Sequence, residues 1–167
     1  LAMDDYENYR FDISGFIVLS GVLSPGEVAA CNEAIDQMLG GGDDLPPTAG
    51  ACDSLLQLRD HPVLAGYAES LCGAGFRLDT GPVLLGAGGK ADGRLNGGGE
   101  WRDWSRAYFH RNGVRHCQGL MAVWALCDVG SGDGGLVMIP ASHNSEVETP
   151  EKVLSGVDDM GLLEQPM

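Results

Sequence analysis

The stretch that decides the fold class is YFHRNGVRHC, residues 108–117. Asn112-Gly113 at its centre is the strongest short hairpin signal in the chain, because a type I′ turn needs two residues that tolerate positive φ. We therefore expect the four residues on either side of the turn to pair as antiparallel strands. Side chains alternate between faces along a strand, so His110 and His116 are predicted to lie on opposite faces and not to share one metal ion.

Working outward from the hairpin, apolar runs predict further strands. Residues 120–126 and 136–139 are continuous apolar runs of the kind that form buried strands. Residues 11–19, 76–78 and 82–85 predict shorter strands. Glycine makes up 26 of the 167 residues, about twice the usual ~7%, which favours strands and tight turns over a helical bundle.

Helices are predicted mainly before the hairpin. Ser24-Pro25-Gly26-Glu27 combines a capping box with proline at the first helical position, and apolar residues then recur at helical spacing, which predicts a helix over 25–39. A second helix is predicted from about Asp60 to Gly73, and a short one opens at Glu151. Helices first and strands later favour an α+β class, mainly β, built as a sandwich or barrel.

Composition excludes several kinds of partner. Ten basic and 24 acidic residues leave a net charge of −14, so binding to nucleic acid or to an anionic membrane surface is disfavoured. No apolar run approaches the ~20 residues of a membrane span. The five cysteines form no C-x-x-C pair, which predicts free thiols in a reducing, cytoplasmic setting and no disulfide partner.

Single motifs taken alone do not assign a function. The glycine-rich segment 86–91 loosely fits a dinucleotide pattern, but the sequence after it cannot form the helix that would hold the phosphate. His61 stands at a helix start and is predicted to be a neighbour of the cap. His143 follows a predicted strand and is predicted to anchor a loop to the backbone. No His-x-Asp or His-x-Glu pair occurs.

Several segments, taken together, resemble a known family. Residues 12–28 read DISGFIVLSGVLSPGEV, and residues 119–129 read GLMAVWALCDV. GDGGL at 132–136 and IPASH at 139–143 follow. This series resembles the phytanoyl-CoA dioxygenase family of non-haem Fe(II)/2-oxoglutarate-dependent oxygenases.

The resemblance implies a fold. That family has a double-stranded β-helix, a cupin-like jelly roll with flanking N-terminal helices. Residues 1–167 would then form a single, partial domain whose late strands lie beyond Met167.

The resemblance also implies a metal site and a cofactor site. The family holds iron with two histidines and one carboxylate and leaves positions open for 2-oxoglutarate and O₂. Asn96 falls where the first metal histidine is expected. His110 could take the place of that histidine only if the strand register differed. The distal histidine is expected beyond the chain. Trp124 matches a position that lines the 2-oxoglutarate pocket, and Tyr108 is a second candidate there.

Three functions therefore stand as expectations. The first is hydroxylation of a small organic substrate with Fe(II), 2-oxoglutarate and O₂, with residues 1–167 inactive by themselves. The second is a metal-free jelly-roll binding protein, favoured by Asn96. The third is a structural β domain of a larger protein. Whether the chain is an enzyme stays open on the sequence.

Overall fold

The computed structural model describes residues 2–40, 52–84, 107–130, 133, 135–145, 147, 149–154 and 163–164. These residues form five α-helices, four short strands and one 3₁₀ turn. In chain order they are α1 Asp5–Ser14, α2 Pro25–Leu39, α3 Asp53–Arg59, α4 Pro62–Cys72, β1 Tyr108–Arg111, β2 Val114–Cys117, β3 Val137–Met138, the 3₁₀ turn Ser142–Asn144, α5 Glu151–Leu154 and β4 Leu163–Glu164.

The class is mixed helix and antiparallel sheet. The described part of the chain has two sheets of two strands each, β1 with β2 and β3 with β4. Helix outweighs strand in this part of the chain. The prediction of both element types is confirmed, whereas the predicted predominance of strand is not seen among these residues.

The first helix replaces a predicted strand. The Asp4 carboxylate accepts from the Glu7 backbone N–H at 2.7 Å, and the Glu7 carboxylate accepts from the Asp4 N–H at 3.0 Å. This capping box starts α1 upstream of the apolar run, so the helix continues through Phe11 and ends at Gly15 with φ 82°. The strand predicted over 11–19 is therefore wrong.

The other capped helices form as predicted. Ser24 and Glu27 make both bonds of their capping box, and α2 begins at Pro25. The ring of His61 caps α4 by accepting from the Val63 N–H at 3.3 Å, which confirms its predicted place at a helix start. The short α5 is also confirmed.

Helix α3 was not predicted. Its N-cap residue Cys52 makes no side-chain cap bond. Leu55 and Leu58 are buried against Cys31 and Ile35 of α2. Tertiary packing therefore stabilises a seven-residue helix that has no strong start signal.

The hairpin has the predicted register. Arg111 pairs with Val114, and the Cα partners continue outward to Tyr108 and Cys117. Asn112 and Gly113 have φ of 53° and 76°, as a type I′ turn requires.

Of the strands predicted before and after the hairpin, one forms in part and the others do not form. The run 136–139 contains β3, but Val137 is 45% exposed, so the strand is not fully buried. Residues 120–126 form no strand, and Met121 is 65% exposed. No strand in the described part of the chain pairs with this run, and a strand needs a partner for its backbone N–H and C=O groups. Residues 76–78 and 82–84 form no strand either.

Two hydrophobic clusters hold these elements together. The first joins α1, α4 and β2, and its buried members are Met3, Phe11, Tyr67, Leu71 and Cys117. The second joins α2 and α3 through Cys31, Ile35, Leu55 and Leu58, and Trp124 packs against it. Among the helices that the structure describes, none is long and apolar enough to cross a membrane.

Candidate functional site

Four polar side chains meet where the last turn of α1 faces β1 and the 3₁₀ turn. Asp12 lies on α1, Tyr108 and His110 on β1, and His143 on the 3₁₀ turn. Tyr108 and His110 are two residues apart on one strand, so both point to the same face. We call these four residues the Asp12 cluster.

Asp12 is the polar centre of the cluster. The Tyr108 hydroxyl donates to Asp12 Oδ1 at 2.5 Å, and His110 Nε2 lies 3.4 Å from the same oxygen. The side chains of His110 and Asp12 are 46% and 42% exposed. The imidazole and the carboxylate are therefore partly exposed to solvent, and the Tyr108 hydroxyl donates to this carboxylate.

Aromatic contacts hold the rings of the cluster in place. The Tyr108 ring lies 5.6 Å from the His110 ring and 4.7 Å from the His143 ring, measured between centroids. Phe11 of the first hydrophobic cluster packs edge-on behind Tyr108 at 5.9 Å. The polar groups at the surface are thus backed by the core of the protein.

His143 is anchored to the backbone, as predicted. Its Nε2 donates to the carbonyl oxygen of Asp12 at 3.0 Å, which leaves Nδ1 as the acceptor of the neutral ring. Nδ1 is buried and has no hydrogen-bond partner in the described part of the chain. Burial lowers the pKa of His143, so the ring stays neutral at pH 7.

Electrostatics keep the tyrosine protonated. Burial, together with the bond to the Asp12 carboxylate, raises the pKa of Tyr108 above its ordinary value. The hydroxyl is therefore a hydrogen-bond donor at neutral pH and orients Asp12.

The four site residues predicted from the sequence do not all lie together. The structure brings Tyr108 and His110 into one cluster with Asp12. Trp124 instead packs on the second hydrophobic cluster, and its ring lies edge-on to His61 at 5.3 Å. Asn96 lies outside the described residues.

Sequence reasoning missed Asp12 as a site residue. The sequence predicts a strand over residues 11–19, and a strand position alone gives the Asp12 side chain no defined neighbour. The capping box at Asp4 and Glu7 was the signal that could have placed Asp12 on the last turn of a helix.

His116 lies on the other face of the hairpin. Its ring stacks on Phe109 with centroids 4.6 Å apart and planes 15° apart. The prediction that His110 and His116 lie on opposite faces is confirmed.

A second polar surface lies between α2, α3 and the start of α4. It is an open groove of about 500 Å³ lined by Glu27, Asp53, Leu56, Gln57, Asp60, His61 and Pro62. Two of its carboxylates have partners within the chain: Glu27 accepts from Ser24, and Asp60 accepts from Arg59 at 2.7 Å. These bonds lower the pKa of both carboxyl groups.

Among the described residues, side chains that could ligate a metal ion come together in pairs at most. No three histidine, cysteine, aspartate or glutamate side chains among them lie close enough together to hold a metal ion. His110 and Asp12 supply one imidazole and one carboxylate. A complete facial triad would need a ligand from outside the described residues.

Comparison with known proteins adds no relative. No protein-family model matches the chain, and no similar protein was found among curated proteins or solved structures.

Proposed function

We propose that the chain is part of an Fe(II)/2-oxoglutarate-dependent oxygenase of the phytanoyl-CoA dioxygenase type, which hydroxylates a small organic substrate. In this proposal residues 1–167 are one portion of a jelly-roll domain and are inactive by themselves. The observation that supports it best is the separation of 3.4 Å between His110 Nε2 and Asp12 Oδ1.

This separation fits two ligands of a single metal ion. Nitrogen and oxygen ligands lie about 2.0–2.2 Å from a first-row divalent ion, so neighbouring donor atoms are roughly 2.8–3.1 Å apart at octahedral angles and about 3.3–3.6 Å apart at tetrahedral angles. A histidine and a carboxylate are two of the three ligands in the facial triad of non-haem iron oxygenases. Because the hairpin keeps the predicted register, His110 is assigned here from its distance to Asp12 and not from the family alignment. Both side chains are partly exposed, so a cosubstrate can approach them.

The neighbouring residues have supporting roles in this proposal. When bound, Fe(II) with 2-oxoglutarate and O₂ supplies the oxidising power for hydroxylation. Tyr108 orients the Asp12 carboxylate through its hydroxyl, and His143 holds the Asp12 backbone. The remaining histidine ligand is expected beyond Met167, as the family resemblance implies. The antiparallel pairs β1–β2 and β3–β4 are compatible with part of a jelly roll.

The test is an anaerobic titration of Fe(II), with and without 2-oxoglutarate. It uses the longest natural protein that contains these residues and follows the absorption band of the iron–cosubstrate chelate. We expect His110→Ala to weaken Fe(II) binding at least tenfold, since it removes one ligand. Asn96→His is expected to tighten Fe(II) binding, and an unchanged affinity would mean that position 96 does not face the metal.

His116→Ala is the matched control. It removes an imidazole from the same hairpin but from the opposite face, where the ring stacks on Phe109. Fe(II) affinity is expected to stay within twofold of the unmodified protein. Equal weakening in the two histidine variants would contradict the assignment of His110.

A metal-free binding protein is the second candidate. It is favoured because the polar groups of the Asp12 cluster already have partners within the chain. The Asp12 carboxylate accepts a hydrogen bond from Tyr108 and lies beside His110. Failure of the unmodified protein to bind Fe(II), with the chelate band absent, would support this candidate over the oxygenase. Small organic ligands would then be sought by their effect on thermal stability.

A further inference from the structure

Two cysteine thiols lie next to each other at the junction of α4 and β2. Cys72 is the last residue of α4 and Cys117 is the last residue of β2. Their Sγ atoms are 3.9 Å apart, although the residues are 45 positions apart in the chain. Both thiols are free.

From this geometry we propose that Cys72 and Cys117 form a site of reversible oxidation, at which a hydroperoxide converts the two thiols into an intramolecular disulfide. A disulfide has an S–S length of about 2.05 Å, so the sulfurs must approach by roughly 1.9 Å. Each cysteine ends its element, so rotation of the two side chains can supply this movement without breaking a helix or a strand. The proposal does not depend on the proposed oxygenase activity.

Hydrogen bonds next to the two cysteines hold β2 against α4. Arg115 of β2 donates through Nη2 to the carbonyl oxygen of Ser70 in α4 at 2.7 Å, and through Nη1 to Asn8 Oδ1 of α1 at 3.0 Å. These bonds fix β2 against α4 two residues before each cysteine. A fixed separation raises the effective concentration of one thiol at the other.

The two cysteines differ in exposure, which assigns their roles. Cys72 is half-buried, whereas Cys117 is 6% exposed. Burial and the neighbouring Cys72 raise the pKa of Cys117 to about 12. Since the thiolate is the nucleophile, Cys72 is the first to react and Cys117 is the resolving thiol.

The oxidation balances in two steps. The Cys72 thiolate attacks one oxygen of the hydroperoxide; the O–O bond breaks, the leaving oxygen takes up a proton, and Cys72 becomes a sulfenic acid. Cys117 then attacks the Cys72 sulfur; the S–O bond breaks and the departing hydroxide leaves as water with the Cys117 proton. With hydrogen peroxide, two thiols lose two electrons in total, and one peroxide is reduced to two waters. A dithiol reductant reverses the product by exchange.

Oxidation would act on the Asp12 cluster through the hairpin. Cys117 is the cross-strand partner of Tyr108 in the β1–β2 pairing. A disulfide from Cys117 to Cys72 would therefore tie β2 to α4, and through β2 also its partner β1, which carries Tyr108 and His110. The linked form would hold the cluster more rigidly than the dithiol form.

The test treats the fully reduced chain with hydrogen peroxide, alkylates the remaining thiols, and maps the peptides by mass spectrometry. Before alkylation we expect a monomer about 2 Da lighter than the reduced chain, and the peptide map should show Cys72 linked to Cys117. The melting temperature should rise by about 5–10 °C on oxidation, because a cross-link constrains the unfolded chain. Dithiothreitol should reverse both changes.

Three variants give the controls. Cys72→Ser and Cys117→Ser should each abolish the cross-link and the rise in melting temperature. Cys127→Ser, which removes an exposed thiol, should keep both. The proposal is overturned if Cys72 and Cys117 both remain alkylatable after the peroxide treatment. Because peptide mapping is done on the unmodified chain, it decides the question even if a serine variant does not fold.

Discussion

Gly15 shows how one residue sets the geometry around the Asp12 cluster. It ends α1 with φ 82°, and a Cβ built on it would lie 2.8 Å from His143 Cγ. Real Cβ atoms do not approach other atoms so closely. The absence of a side chain therefore lets the His143 ring reach the Asp12 carbonyl.

Gly15→Ala is predicted to destabilise the protein by about 2–3 kcal/mol. Positive φ costs a non-glycine residue roughly 1–2 kcal/mol, and the His143 ring must also move. Urea unfolding followed by circular dichroism measures the free energy of unfolding.

Gly21→Ala is the matched control for backbone strain. Gly21 has φ 67°, but nothing lies within 4 Å of its Cβ position. We expect a loss of only about 1 kcal/mol there. Equal losses at the two positions would mean that the His143 contact contributes nothing to stability.

At the scale of single residues, the sequence indicated roles that depend on close neighbours in the chain. The cap position of His61 follows from Pro62, and the opposite faces of His110 and His116 follow from strand alternation. Asp12 could not be placed in this way, because its partners lie 96 to 131 positions away.

At the scale of elements, the type I′ turn controls where β1 presents its side chains. Asn112 has φ 53°, a conformation that asparagine tolerates and β-branched residues do not. The register of β1 against β2 depends on this turn, and so does the placement of Tyr108 and His110.

Asn112→Val is predicted to lower the free energy of unfolding by about 1–2 kcal/mol, because valine is strained at positive φ. Asn112→Gly serves as the control and should stay within about 0.5 kcal/mol of the unmodified chain. Chemical denaturation of the two variants in parallel makes the comparison. A valine variant as stable as the glycine variant would show that the turn conformation does not limit the hairpin.

Helices and strands differed in how far the sequence predicted them. Helices α2 and α4 carry local start and stop signals, and both form as predicted. The apolar run 120–126 was predicted as a strand, but it forms none. A helix satisfies its hydrogen bonds within one segment, whereas a strand depends on a partner elsewhere in the chain.

At the scale of the whole molecule, charge opposes compactness. The net charge is −14 over 167 residues, and like charges repel one another more strongly in the folded chain than in the expanded one. Added salt screens this repulsion within a Debye length of about 8–10 Å at physiological ionic strength.

Raising sodium chloride from about 20 to about 300 mM at pH 7 is therefore predicted to increase the melting temperature by a few degrees. Thermal unfolding followed by circular dichroism measures the change. The same series near the isoelectric point of about 4.4 is the control and should show a smaller increase. A fall in melting temperature with salt at pH 7 would show that attractive ion pairs outweigh the repulsion.

The sequence by itself determined the features that act over a few residues: the capping box at Ser24 and Glu27, the turn at Asn112-Gly113, the hairpin register and the excess of negative charge. Only the tertiary structure decided which segments meet. It placed Asp12 beside Tyr108 and His110, packed Trp124 against the other hydrophobic cluster, and brought Cys72 next to Cys117. Local features follow from backbone sterics and neighbouring hydrogen bonds, which are encoded within one turn of chain. Contacts across 45 or more positions depend on how all the apolar faces are buried together, and no single stretch of sequence contains that information.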